Sequence, residues 1–228
     1  MRIGLTSLSF PGDIMPEGVD YVEDVPTKRT EGSSDMLGFL YGAKKTWPLG
    51  TPEFEATCRN MLSKWSQLGY NSFVYGAPMT RQTPIASTLR TISTVVNSLP
   101  RTESRKRFLI EVLDCHVMDS YTSARLVADA VSMTPNNWSA GVVLDLGEAV
   151  KMGLTATDVA KMPKIERFHV RGINPLEPFD SRCMSAQLSM LNRWICEHGS
   201  NVDISFESRA DDSKYEKFIE FVNEWWRQ

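Results

Sequence analysis

The sequence predicts one α/β domain, a parallel (β/α)8 barrel that spans residues 1–228. Two observations predict this fold. Short apolar and β-branched runs recur along the chain, and most are followed by a stretch with helical spacing, which is typical of a parallel sheet wrapped by helices. The length also lies within the roughly 200 to 250 residues expected of one such barrel.

The predicted strands are short runs rich in Val, Ile, Leu, Phe and Tyr, bounded by Gly, Pro, Asn, Asp or Ser. There are eight of them. In chain order they are Ile3–Leu8, Val19–Val25, Leu37–Tyr41, Ser72–Tyr75, Phe108–Val112, Gly141–Asp145, Ile165–Val170 and Val202–Phe206.

The predicted helices lie between the later strands. The clearest begins at Pro52, carries apolar residues at helical intervals, and is closed by Gly69 just after Leu68. Several others begin with Ser, Thr or Asp, the residue types that cap helix N-termini. In chain order the predicted helices are Pro52–Leu68, Thr83–Leu99, Ser120–Met133, Thr155–Lys161, Ser185–His198 and Asp212–Trp226.

The first two crossovers depart from this alternation. Ser9–Gly18 is too short for a crossover with a full helix, which needs about 10 to 12 residues or more. Pro26–Met36 is rich in Thr, Lys, Arg, Gly and Ser, which favours a loop. We therefore expect the first crossover helix to be reduced or missing and the barrel to be partly open on that side.

Composition excludes several classes of protein. The formal net charge of −3 offers no general attraction for a polyanion, so a nucleic-acid partner is not favoured. No uncharged apolar run approaches the roughly 18 residues of a membrane span. The four cysteines are scattered without a C-x-x-C pair, and the N-terminus lacks the pattern of a secretory signal. These features predict a cytoplasmic protein with reduced thiols and no membrane partner.

Four predicted strands carry an acid or an imidazole at their C-terminal end or within one residue of it: Glu111, Asp145, His169 and Glu207. Parallel barrel strands deliver their C-terminal ends to one face, so these side chains are expected to converge. Any one of them alone more often ends a strand or caps a helix. A shared cation would offset the cost of burying three carboxylates, and this ligand set suits one divalent ion, Mn²⁺, Mg²⁺, Co²⁺ or Zn²⁺.

Three segments also carry a family resemblance. Val22–Lys28, Gly38–Gly42 and Phe73–Arg81, the last with its Gly-Ala-Pro turn, resemble the second-, third- and fourth-strand segments of the sugar isomerase and epimerase group of xylose-isomerase-like barrels. That group includes hydroxypyruvate-isomerase-like and tagatose-epimerase-like enzymes. The resemblance covers nearly the whole chain, and it implies that the metal ligands are Glu111, Asp145, His169 and Glu207, in strand order.

The resemblance further implies that Glu111 and Glu207 flank the substrate and carry its proton. One departure concerns substrate binding: the family often has His three residues after the sixth-strand Asp, whereas this chain has Glu148. The other candidate substrate-binding residues are cationic. They are Arg81, which follows the Gly-Ala-Pro turn and offers a planar fork for a phosphate or carboxylate, and Lys28 and Arg171.

The leading functional hypothesis is a divalent-metal-dependent isomerase or epimerase of a sugar or sugar phosphate. Proton transfer between two glutamates would proceed through a metal-stabilised ene-diolate. Two alternatives stay open from the sequence: a metal-dependent hydrolase related to endonuclease-IV-like barrels, and a non-catalytic barrel that serves as a binding or scaffold protein. Whether the chain forms a homo-oligomer is also open.

Overall fold

Eight parallel strands form a closed barrel in the computed structural model, in the order β1 to β8 around the ring. The structure describes residues 1–7, 12–37, 51–75, 91, 93–112, 121, 136–171, 181–207 and 224, with the backbone only at 171 and 181–183. The strands are β1 Arg2–Thr6, β2 Tyr21–Asp24, β3 Asp35–Leu37, β4 Ser72–Tyr75, β5 Lys106–Val112, β6 Trp138–Asp145, β7 Ile165–Arg171 and β8 Asp203–Glu207. The predicted (β/α)8 barrel is confirmed.

Several strand boundaries differ from the prediction, and in two strands the difference lies where a charged residue opens the strand. β3 begins at Asp35, two residues before the predicted start at Leu37, and β5 begins at Lys106 rather than Phe108. Charged residues are depleted in strands, so an apolar pattern alone starts these strands late. The remainder of the predicted third strand, residues 38–41, lies outside the described residues.

The side of the barrel expected to be partly open is closed, so that prediction is wrong. β1 pairs with β2 and β2 pairs with β3, both in parallel register. Between these strands no described residue is helical, as predicted for both crossovers. The two connections instead contact each other, since Ile14 bridges Glu31. Closure depends on hydrogen bonds between neighbouring strands, so it does not require a helix on every crossover.

The described helices are α1 Pro52–Gln67, α2 Leu146–Lys151, α3 Ala156–Ala160 and α4 Ser181–His198. Thr51 caps α1, Pro52 occupies its first turn, and Gly69 follows with a φ of 97° that favours glycine. The short helix α2 was not predicted. Among the described helices, none is both long and apolar enough to cross a membrane.

Three predicted helices fall partly outside the described residues. Of Thr83–Leu99, residues 91 and 93–97 are helical. Of Ser120–Met133 and Asp212–Trp226, the structure describes only Tyr121 and Glu224, and both are helical. The other three predicted helices correspond to α1, α3 and α4, although α4 begins four residues earlier than expected.

Buried side chains lie on both faces of the sheet. The larger cluster includes Leu62 of α1, Trp194 of α4 and strand residues such as Phe73 and Phe168. A smaller apolar cluster contains Val25, Leu37, Val74, Leu109 and Val143. Because side chains alternate along a strand, Leu109 and Val143 lie on the same face as Glu111 and Asp145. This face is the barrel interior, and its strand ends form the candidate site.

Candidate metal centre at the C-terminal mouth of the barrel

Three of the four predicted ligands come together. Glu111, His169 and Glu207 each offer one ligand atom, and these atoms lie within 4.8 Å of one another. His169 Nδ1 lies 2.6 Å from Glu111 Oε1 and 3.9 Å from Glu207 Oε2. The histidine is fully buried, Glu111 is buried, and the Glu207 side chain is partly exposed. The cluster is therefore closed on the histidine side and reachable at Glu207.

Asp145 is not a member of this cluster. It pairs with His169 in the strand register, and its side chain is fully buried. Its Oδ1 accepts a hydrogen bond from the backbone N–H of Glu148 at 2.9 Å, which caps helix α2. An Asp directly before a helix reaches that backbone group easily. The assignment of Asp145 as the fourth ligand stays a prediction.

Glu23 of β2 is a member of the site that the sequence analysis did not select. Its Oε2 lies 3.2 Å from His169 Nε2, so the two ring nitrogens of the histidine face different carboxylates. These two atoms are within ion-pair distance, although their alignment does not meet hydrogen-bond geometry. A signal for Glu23 was present in the sequence, since an adjacent Glu-Asp pair lies between apolar residues of the second strand. A charged side chain in a core strand needs a buried partner, which marks such a position as part of a polar cluster.

That buried partner is Arg167, two residues before His169 on β7. Its guanidinium donates to Glu23 at 2.6 Å, to Asp35 at 2.5 Å and to Asp203 at 3.3 Å. It also lies 4.7 Å from the centre of the Tyr21 ring. Arg167 is fully buried, so the barrel interior holds an arginine with three carboxylates beneath the candidate site.

These charges strongly shift the pKa values of the buried groups. Burial alone would raise the pKa of Glu23, but the charges of Arg167 and His169 outweigh it and lower the pKa to about 2. Burial alone would lower the pKa of His169, but Glu23 and Glu111 raise it well above its ordinary value. The flanking carboxylates therefore stabilise positive charge at the position of the imidazole.

The donor set fits a divalent cation. Two carboxylates and one imidazole nitrogen are ligands that Mn²⁺, Mg²⁺, Co²⁺ and Zn²⁺ accept, and their excess of negative charge favours a cation. A metal-binding imidazole must be neutral at the binding nitrogen, so a cation would replace the Nδ1 proton. Glu111, His169 and Glu207 would hold the ion, with Asp145 as the predicted addition.

The structure describes the side chains of two of the four predicted substrate-binding residues, Lys28 and Glu148. Lys28 Nζ donates to the carbonyl of Ser7, directly after β1, at 3.3 Å, and Glu148 pairs with Lys151 at 3.0 Å along α2. Arg171 ends β7 in register with Glu207, and its side chain is outside the described structure. Arg81 lies outside the described residues. All four assignments stay predictions.

His198 lies on α4 rather than in the cluster. Its Nε2 is 2.7 Å from the carbonyl oxygen of Ala160, and its ring lies 4.8 Å from that of Trp194. His116 lies outside the described residues. His169 is thus the one histidine of the described part that joins the carboxylate cluster. A hydrolase of the endonuclease-IV-like type, with several zinc ions, would need more imidazole ligands.

Comparison with solved structures identifies the type of barrel. A D-allulose 3-epimerase from Methylomonas sp. superposes with a TM-score of 0.58 at 14% identity, covering 98% of this chain and 97% of that one. A 3-keto-D-glucoside 4-epimerase from E. coli gives 0.60 at 12% identity, covering 98% and 99%. A xylose isomerase-like TIM barrel fused to a 4-hydroxyphenylpyruvate dioxygenase gives 0.57 at 13% identity, covering 92% and 39%.

The fold is that of a xylose-isomerase-like TIM barrel. The resemblance found in the sequence is confirmed at the level of the fold. No protein-family model matches the chain, and no curated protein does. Identities of 12 to 14% support the xylose-isomerase-like fold but carry no residue assignments, so the chemistry of the site is argued from the described geometry.

Proposed function

We propose that this protein is a divalent-metal-dependent isomerase or epimerase of a sugar or sugar phosphate. The observation that carries the proposal is the cluster of Glu111, His169 and Glu207 at the end of the barrel where enzymes of this architecture have their active sites. The structural neighbours named above include two sugar epimerases with the same fold. The neighbours support the fold, and the donor types of the cluster support a divalent metal.

The proposed reaction removes a proton from a carbon next to a carbonyl group. A bound divalent cation would supply positive charge beside the substrate oxygens. One of the two carboxylates, Glu111 or Glu207, takes the proton, and the other returns it. Return to the opposite face of the same carbon gives epimerisation, and return to the neighbouring carbon gives isomerisation.

Glu111 and Glu207 differ in burial, and the difference favours different roles in proton transfer. Glu111 is buried and in contact with the His169 ring, which fixes its carboxylate, whereas the Glu207 side chain is 19% exposed. The exposed position favours Glu207 as the group that a substrate meets first. The buried polar contacts of Glu111 restrict its movement, and a fixed base loses less entropy on reaching its reactive geometry.

Hydrogen exchange tests the proposal. The purified protein, incubated with Mn²⁺ in deuterated water, is expected to introduce deuterium next to the carbonyl of at least one member of a broad panel of ketoses and ketose phosphates. Mass spectrometry or proton NMR detects the label. The absence of exchange across the whole panel, with Mn²⁺ shown to be bound, would count decisively against an isomerase or epimerase.

Metal binding separates this proposal from a scaffold. Titration with Mn²⁺ or Zn²⁺ is expected to raise the thermal midpoint, because a ligand at 100 times its dissociation constant adds about 2.7 kcal/mol to the free energy of unfolding. A protein that neither retains metal nor gains stability from it would favour the scaffold. Nicking of an abasic DNA duplex would instead favour the hydrolase.

A further inference from the structure

We propose that Glu23 is a positioning residue that turns His169 so that Nδ1 faces the metal cluster. This inference rests on the proposed metal site and adds a residue to it that contacts neither substrate nor metal. Its basis is the pair of contacts on the histidine: Nδ1 lies 2.6 Å from Glu111, and Nε2 lies 3.2 Å from Glu23.

An imidazole can bind a metal through either ring nitrogen. The nitrogen that binds is set by the hydrogen-bond partner of the other, because a carboxylate next to one nitrogen retains the proton there. Glu23 lies beside Nε2 at ion-pair distance, and its negative charge favours the tautomer with the proton on Nε2. The lone pair of Nδ1 is then directed at Glu111 and Glu207.

Glu23 is itself held by partners on its other oxygen. Arg167 donates to Oε1 at 2.6 Å, and the Ser205 hydroxyl also donates to Oε1. The Tyr21 hydroxyl in turn lies 2.7 Å from Ser205 Oγ. With Oε1 engaged by these two donors, Oε2 is the oxygen turned towards His169. The carboxylate therefore has one oxygen for anchoring and one for orienting the ring.

Asp35 provides a matched control for Glu23. Both are fully buried carboxylates that bind the same guanidinium, at 2.5 Å for Asp35 and 2.6 Å for Glu23. Among the described contacts, none joins Asp35 to His169. A role in holding Arg167 belongs to both carboxylates, whereas a role in orienting the histidine belongs to Glu23 alone.

The test compares Glu23→Gln with Asp35→Asn by calorimetric titration with Mn²⁺. Loss of an orienting carboxylate typically weakens metal binding about 10- to 100-fold, so Glu23→Gln should show a loss of that size. The dissociation constant of Asp35→Asn for Mn²⁺ should stay within about twofold of that of the unaltered protein, because Asp35 contacts none of the proposed metal ligands among the described contacts. Equal losses in the two variants, or no loss in Glu23→Gln, would overturn the proposal.

A second measurement uses the unaltered protein and is needed if Glu23→Gln does not fold. With Zn²⁺ bound, nitrogen NMR of labelled histidine should find the His169 proton on Nε2 and the metal on Nδ1. Ligation through Nε2 would overturn the role of Glu23 while leaving the metal site intact. If the unaltered protein binds no divalent metal, the proposed function itself fails, which is a distinct result.

Discussion

Single residues in the barrel interior carry charges that such interiors rarely contain. Arg167 is fully buried with Glu23, Asp35 and Asp203 as partners, in a position where an aliphatic side chain is usual. His169 lies two residues along the same strand, so both side chains face inward. The candidate metal site and the buried ion network therefore both include residues of β7, and Glu23 contacts one residue of each, His169 and Arg167.

The two glutamates of the cluster are expected to be essential for hydrogen exchange. Glu111→Gln and Glu207→Gln should each lower the exchange rate by about 10² to 10⁴, the range for loss of a general acid or base. Both variants should remain folded. Glu197→Gln is the control, since Glu197 pairs with Arg193 on the exposed face of α4. A cluster variant that exchanges at the unaltered rate would contradict this assignment.

Removing the buried arginine should destabilise the fold strongly. Arg167→Met leaves three carboxylates without their shared cation, and breaking a buried ion pair costs about 3 to 5 kcal/mol. Urea unfolding measures the loss. Arg193→Met removes an exposed ion pair, because Arg193 Nε lies 2.5 Å from a carboxylate oxygen of Glu197, four residues further along α4. It should lower the free energy of unfolding by less than about 0.5 kcal/mol. Similar losses in both variants would show that the interior network contributes little.

At the scale of elements, local capping signals specify both ends of α1. Thr51, Pro52 and Gly69 bound α1 within one residue of the predicted helix. α2 was missed because its six residues directly follow β6, and a strand and helix without a connecting loop form one continuous apolar pattern. Asp145, the last residue of β6, caps this helix with the side chain that was expected to bind metal.

The cap of α3 supports a prediction at this scale. Thr155 and Asp158 form a reciprocal capping box, in which each side chain accepts a hydrogen bond from the other residue's backbone N–H. Thr155→Ala should lower the free energy of unfolding by about 1 kcal/mol. Thr157→Ala, exposed within the same helix, should be neutral or slightly stabilising because Ala has the higher helix propensity. Urea unfolding distinguishes the two, and equal effects would argue against the cap.

At the scale of the molecule, the charged interior ties stability to pH. Burial alone would raise the pKa of Asp203, but a hydrogen bond from Arg2 and the charges of Arg167 and Arg107 lower it to about 2. A carboxyl with a depressed pKa stabilises the folded state above its unfolded pKa, near 3.8, and loses that contribution as pH falls towards 2. The closed barrel is therefore expected to weaken in acid.

Comparison with Asp203→Asn tests this expectation. The unaltered protein should be more stable than the variant at pH 5, and the difference should shrink as pH falls from about 4 to about 2, where the aspartate becomes protonated. Urea unfolding at closely spaced pH values follows the difference. A difference that stays constant over this interval would show that the charge of Asp203 is not what stabilises the barrel.

The sequence by itself determined the eight strands, the barrel class and the residue types at the strand ends. Strand alternation is a local pattern, and a succession of strands and helices predicts parallel strands whose C-terminal ends share one face. The same reasoning selected Glu111, His169 and Glu207 in advance. These three side chains do meet at one mouth of the barrel, whereas Asp145, also at a strand end, does not join them, and their role as metal ligands stays a prediction.

Only the tertiary structure decided which buried charges meet. Arg167 contacts Glu23 across 144 positions and Asp35 across 132, and such contacts depend on strand register, tilt and side-chain rotamers in the closed barrel. The same factors bring Glu23 of β2 next to His169 of β7. Pairing energies between distant charges have no local signature, because they exist only when the fold has removed both partners from water.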